Sequence, residues 1–145
     1  GHASVSESLI HASVRFSAVN GNGGDRVAVS DVLQRMRDEY GLDLVAIVGT
    51  DGLLVESAHD PVLDAESVAA NAVSGLLMME ALGRELGGVS ARQAIVEFDE
   101  HVVLVTPLGQ DTALVVVAAG SANLGRLRLA VRRARGSLEQ EAATI

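Results

Sequence analysis

The chain has 145 residues, 48% of them apolar, and its nineteen carboxylates outnumber eleven basic side chains to give a formal charge of −8. A domain of that size can bury about 70% of its unfolded surface in one core. The acidic balance repels nucleic acid and anionic membranes at long range, so neither is expected as a partner, and the lack of cysteine removes disulfide and thiolate chemistry.

Residues 1–28 alternate weakly between polar and apolar and close on Asn20-Gly21-Asn22-Gly23-Gly24, which imposes no single backbone path. A flexible tail is expected there, with Gly1-His2 a tag remnant, and one domain over 29–143. Val29, Val32, Leu33, Met36 and Tyr40 recur at helical spacing, with Ser30 placed to cap and Gly41 to stop a first helix. Residues 44–49 and 53–57 are short β-branched or leucine-rich runs joined by Asp51-Gly52, which tolerates positive φ and predicts a hairpin. Asp64 stands where an N-cap belongs, after Pro61, and opens the longest helix, ending near Gly87-Gly88. Three strand-like runs at 92–98, 101–106 and 112–118 suggest an antiparallel meander. Leu124, Leu127, Val131, Ala134 and Leu138 then predict a last helix, so the order is α-β-β-α-β-β-β-α, an α+β arrangement. With one Tyr and two Phe, Val, Leu, Ile and Ala must fill the core, and a flat aromatic ligand would find few rings to stack on.

Turning the middle helix by about 100° per residue gathers Val68, Ala72, Gly75, Leu76, Met79, Leu82 and Leu86 on a face expected to pack on the sheet. Ala70, Val73 and Leu77 fall elsewhere, among Glu66, Glu80 and Arg84, where either a partner helix or a neighbouring loop must cover them. Ser67, Asn71, Ser74, Met78 and Glu85 form a third strip, fit for a flat docking surface or for plain solvation. The last helix carries Arg126, Arg128, Arg132, Arg133 and Arg135 with no acid between Ser121 and Leu138, and Leu129 projects between the arginines. Part of this cluster could serve the helix dipole; the rest reads equally as a solvated face or as a docking site for an acidic partner.

Groups for catalysis are missing. The histidines at 2, 11, 59 and 101 have no metal-ligand spacing, so no metal or cofactor is expected. Gly21-Asn22-Gly23-Gly24 resembles a phosphate loop only in its glycines, because the chain has no lysine. Asp99-Glu100-His101 reads as a solvated turn whose side chains diverge, and there is no Gly-x-Ser-x-Gly elbow. No apolar run reaches a membrane span and no signal peptide is visible, so a cytoplasmic protein without membrane insertion is the default expectation.

The hairpin Ala46-Ile47-Val48-Gly49-Thr50-Asp51-Gly52-Leu53-Leu54-Val55, the small-residue-rich helix Ala65 to Leu86, the run Gln93-Ala94-Ile95-Val96-Glu97-Phe98 and the ending Ala122-Asn123-Leu124-Gly125 together resemble the Roadblock family, with bacterial members of the MglB type nearest. The resemblance covers residues 29–143 and implies a three-layer α/β/α sandwich. A five-stranded antiparallel sheet would carry the middle helix on one face and the terminal helices on the other, with the opening hairpin at its centre. It implies a homodimer built by pairing third strands and laying middle helices side by side, which places Val73, Leu77, Glu80 and Arg84, and Gln93, Ala94, Ile95, Val96 and Glu97, at the interface. It also implies a small Ras-like GTPase as partner, seated on Ser67, Ala70, Asn71, Ser74, Met78 and Ala81, whose hydrolysis is promoted without catalytic groups from this chain. Arg126, Leu129, Arg132 and Arg133 would then supply a second contact rather than an arginine finger. A scaffold without GTPase stimulation and a small-molecule sensor domain are the competing readings.

Overall fold

The computed structural model describes residues 28–143, with side chains to Glu139; the expected tail lies outside the described residues as far as Val27. Helix α1 (Val29–Tyr40) stops at Gly41, whose φ of 63° is the left-handed conformation glycine adopts most easily. Its start corrects the expectation for Ser30, which lies inside the helix. Ala28 occupies the cap position and bonds with no side chain, while its carbonyl accepts from the Asp31 and Val32 amides. Burial of Ala28 and Val29, rather than a capping hydroxyl, fixes where the helix begins.

Strands β1 (Leu44–Gly49), β2 (Leu54–His59), β3 (Ala94–Glu97), β4 (His101–Pro107) and β5 (Thr112–Ala119) form one antiparallel sheet in the order β2-β1-β5-β4-β3. Gly52, at φ 88°, makes the β1–β2 turn, and the Asp51 carboxylate accepts from the Leu53 amide. The register slips by one residue between Ile47 and Val48, so β2 starts at Leu54. The hairpin is therefore not the sheet centre: β5 is central, β1 lies beside it, and β2 is an edge.

Strand alternation builds two cores. Val45, Ile47, Leu114 and Val116 point toward α1 and the last helix, α3 (Leu124–Ala143). Leu44, Ala46, Val48, Ala113 and Val115 point the other way, under α2 (Ala65–Glu85). Both faces are covered at β1 and β5, which is why β1 is buried along its whole length despite having no polar alternation.

Helix α2 begins as expected, with the Asp64 carboxylate accepting from the Ser67 amide at 3.2 Å. Its buried residues, however, are Ala65, Ala69, Val73, Leu76 and Gly83, a stripe turned by about 70° from the one expected. Met79, Leu82 and Leu86, expected on the sheet, are exposed. Small side chains face the strands because they let the helix lie close to them. The turn after α2 is tied down closely: the Gly83 carbonyl accepts from Gly88 and Val89, Glu80 Oε1 accepts from the Ala91 amide, and Thr106 Oγ1 donates to the Arg92 carbonyl.

A Cβ at Gly83 would collide with the Val89 carbonyl, whereas one at Gly136, exposed on α3, would meet nothing within 4 Å. Gly83→Ala should therefore destabilise by about 1–3 kcal/mol, and Gly136→Ala should stabilise by up to about 1 kcal/mol. Urea denaturation of the two variants checks the opposite signs.

Candidate functional site

Helix α2 covers β1, β5 and Val105 of β4, but leaves the side of its sheet face toward β3 open. A trough of about 940 Å³ runs there, between the flank of α2 that carries Gly75, Met78, Met79, Leu82 and Leu86 and a floor of Ile95, Val103 and Val105. Val89, Val96 and Phe98 complete it, and its apolar rim is open to solvent: Leu86 is 67% and Phe98 59% exposed. Beside it β3, four residues long and among the described residues hydrogen-bonded to β4 alone, ends the sheet with an open backbone edge.

The structure regroups the residues singled out from the sequence. Ser67, Asn71 and Met78 line the same trough as Gln93, Ala94, Ile95 and Val96, whereas Ala70, Leu77 and Arg84 do not line it. Ala70 lies toward the β1–β2 turn, its Cβ 3.9 Å from where a Cβ on Gly52 would stand. One of the expected partner contacts needs correction: Val73 is 1% exposed within the core under α2, because the true buried stripe runs through it. Glu80 is half-buried and accepts from the Ala91 amide. Ser74 and Ala81 are exposed on the outward side of α2, and Glu97 is exposed on β3.

The outward strip of α2 is smooth for a chemical reason. The Ser74 hydroxyl donates to the Ala70 carbonyl at 3.0 Å and the Asn71 amide donates to the Ser67 carbonyl at 3.0 Å, so both polar side chains fold back on their own helix. Of the residues lining the trough His101 alone is ionisable, so recognition there is apolar and shape-dependent. Asp99, Glu100 and His101 lie exposed in and beside the β3–β4 turn, closed by the Phe98 amide donating to the His101 carbonyl. Among the described residues no three His, Asp or Glu side chains come together as a metal site requires, and no helix is long and apolar enough to cross a membrane.

On the opposite side of the sheet the α3 arginines divide into two groups. Arg126 stacks over the Tyr40 ring, 5.3 Å from its centroid, and donates to the Glu39 carbonyl. Arg133 donates to the Tyr40 hydroxyl, and Arg135 pairs with Glu139 at 3.3 Å. These contacts fasten α3 to α1 or to itself. Arg128 and Arg132 are exposed and make no hydrogen bond or ion pair among the described residues, with Leu129 beside them.

Sequence reasoning missed Met79, Leu82, Leu86, Val89 and Phe98 as surface residues of the trough. A partial signal was size: Ala65, Ala69 and Gly83 recur on the face that packs on the sheet, and Met78, Met79, Leu82 and Leu86 gather on another.

A family model described as Roadblock/LC7 domain matches residues 28–118. An uncharacterised protein of Methanocaldococcus jannaschii is 28% identical over 111 residues, covering 77% of this chain and 96% of that protein. Among solved structures, MglB of Myxococcus xanthus superposes with a TM-score of 0.72 at 23% identity, over 77% of this chain and 85% of that one. An MglB with tetrameric arrangement gives 0.71 at 20% identity, over 80% and 88%.

The two α2 faces predict unequal responses to truncation. Val73→Ala should lower stability by about 2–3 kcal/mol, while Leu86→Ser, at a mostly exposed position, should leave the unfolding free energy of the isolated chain within about 0.5 kcal/mol. Chemical denaturation at low protein concentration distinguishes them.

Proposed function

The chain belongs to the Roadblock/LC7 domain family, and from that premise we propose that it is a non-catalytic, homodimeric regulator of a small Ras-like GTPase. The observation that carries this reading is the apolar trough lying beside a free strand edge. A second copy pairing along β3 would satisfy the open backbone groups and bury Met78, Met79, Leu82 and Leu86 in one step. Resemblance to MglB-type proteins and the oligomer named for one MglB structure point the same way.

In this reading the outward strip of α2, with Ala70, Ser74 and Ala81, and with Ser67 and Asn71 where it meets the edge of the trough, forms the GTPase platform. Its small side chains are already satisfied within the helix, so a partner meets a preset surface with little side-chain entropy to lose. Such a surface can act on hydrolysis by fitting one conformation of the GTPase and raising its population, while the attacking water and charge neutralisation remain the GTPase's own business. A dimer without stimulation of hydrolysis would use the same surfaces.

The trough's volume also suits a small apolar ligand, which supports a sensor domain as the second reading. Its wide opening and lack of convergent polar groups favour the dimer.

Two measurements test the proposal. Val96→Lys in the β3 edge should convert a dimer to a monomer in sedimentation equilibrium; a wild type that is monomeric at tens of micromolar removes the dimer. Immobilised protein should retain a small GTPase from extract of its own cells with a GTP analogue more than with GDP, and Ser74→Arg should abolish that capture while leaving the dimer mass unchanged. Capture unaffected by Ser74→Arg would move the platform elsewhere, and a thermal upshift with a purified metabolite would favour the sensor.

A further inference from the structure

The surface least explained by dimer and platform is the outer face of α3, on the far side of the sheet. Turned at about 100° per residue, Leu127, Ala130, Val131, Ala134 and Leu138 are buried and Leu129 and Arg132 point directly away from them, flanked by Arg128 and Arg133. These basic groups stand in the first half of the helix. Arg126 stands in the first turn of α3 and the last turn holds no base, so the helix dipole opposes Arg126 and favours none of the cluster. That corrects the expectation that the cluster serves a helix C-terminus.

Among the described residues intramolecular bonding accounts for Arg126, Arg133 and Arg135 but not for Arg128 or Arg132. Nor does the core account for Leu129, 40% exposed between them. Gly136 continues the same face with open space above it, where a glycine weakens the helix with no internal return.

We propose that this face, Arg128, Leu129 and Arg132 with Gly136, docks a short acidic amphipathic helix of another protein. Charge complementarity names the occupant. Arg128 to Arg132 span about 6 Å of helix axis, enough to meet carboxylates on one or two turns, and Leu129 offers an apolar contact between them. A longer polyanion fits poorly, since the arginines without a partner among the described residues of α3 span only about two turns and Arg126, Arg133 and Arg135 beside them are already engaged. A bilayer fits poorly too, because one half-exposed leucine is a small apolar anchor. The site does not depend on the GTPase reading, and its opposite placement lets both surfaces be occupied together.

Fluorescence anisotropy of a labelled, acetylated peptide made of Glu-Leu-Ala-Glu-Glu-Leu-Ala repeats, titrated with the full chain, reads this directly. Saturable binding that weakens with added salt is expected, reduced about tenfold in the Arg128→Ser/Arg132→Ser double variant. Arg92→Ser, which removes a charge elsewhere, and Ser74→Arg, which blocks only the platform, should bind as the wild type does. The double variant should keep the wild-type melting temperature, because the two side chains hold nothing in place. The proposal is overturned by absent or unsaturable binding, by equal binding of the double variant, or by tighter arginine-dependent binding of phosphatidylserine vesicles or duplex DNA than of the peptide. The last outcome would assign the face to a membrane or to nucleic acid.

Discussion

The organising constraint of this fold is one of width. Five antiparallel strands make a sheet roughly 20–24 Å across, and one helix with its side chains spans about 10–12 Å. Among the described residues two helices, α1 and α3, cover one face of the sheet, and α2 alone lies on the other. A single helix placed over β1 and β5 reaches Val105 of β4 but leaves β3 and the outer part of β4 open. The apolar trough beside α2 is therefore a consequence of the layer count among the described residues.

The sequence of α2 is shaped by that arrangement. Ala65, Ala69 and Gly83 bring the helix down onto a floor of Leu44, Ala46, Val48 and Val115, and closeness supplies the dispersion contacts that larger side chains would supply at a greater distance. The bulky Met78, Met79, Leu82 and Leu86 are then left over for the flank that overlooks β3. The ordered turn after the helix holds this flank at a fixed height above the strand. Glu80 and Thr106 tie residues 91 and 92 down just before β3 begins, so helix flank and strand edge form one preformed surface.

Much of the architecture was legible in the sequence because its signals are local. Asp51-Gly52, Asp64 and Gly41 each declare a backbone event within a few residues, and the helices and strands fall close to where they place them. The facing of α2 was not legible in the same way. A hydrophobic helix exposed to a partner has two apolar stripes, and choosing the larger one as the core is the ordinary rule. Here the rule fails, since the inward stripe is selected for smallness by the distance to the sheet. Val73 and Leu82 exchanged roles for that reason alone. The α3 arginines failed differently: charge counting located them, but only tertiary contacts separate Arg126 and Arg133, bound to Tyr40 and its neighbour, from Arg128 and Arg132.

The same geometry bears on how a surface without acid–base groups could influence a reaction elsewhere. A mobile or strongly polar surface would have to be ordered or desolvated when a partner arrived, and that cost would subtract from any preference among the partner's conformations. On α2 the serine and asparagine side chains are already bonded to their own helix and the helix is packed tightly on its sheet. Little reorganisation remains to be spent, so more of the contact free energy can appear as discrimination between partner states. In the proposed regulator, tight packing of the inner stripe of α2 would thus serve the platform on its outer side.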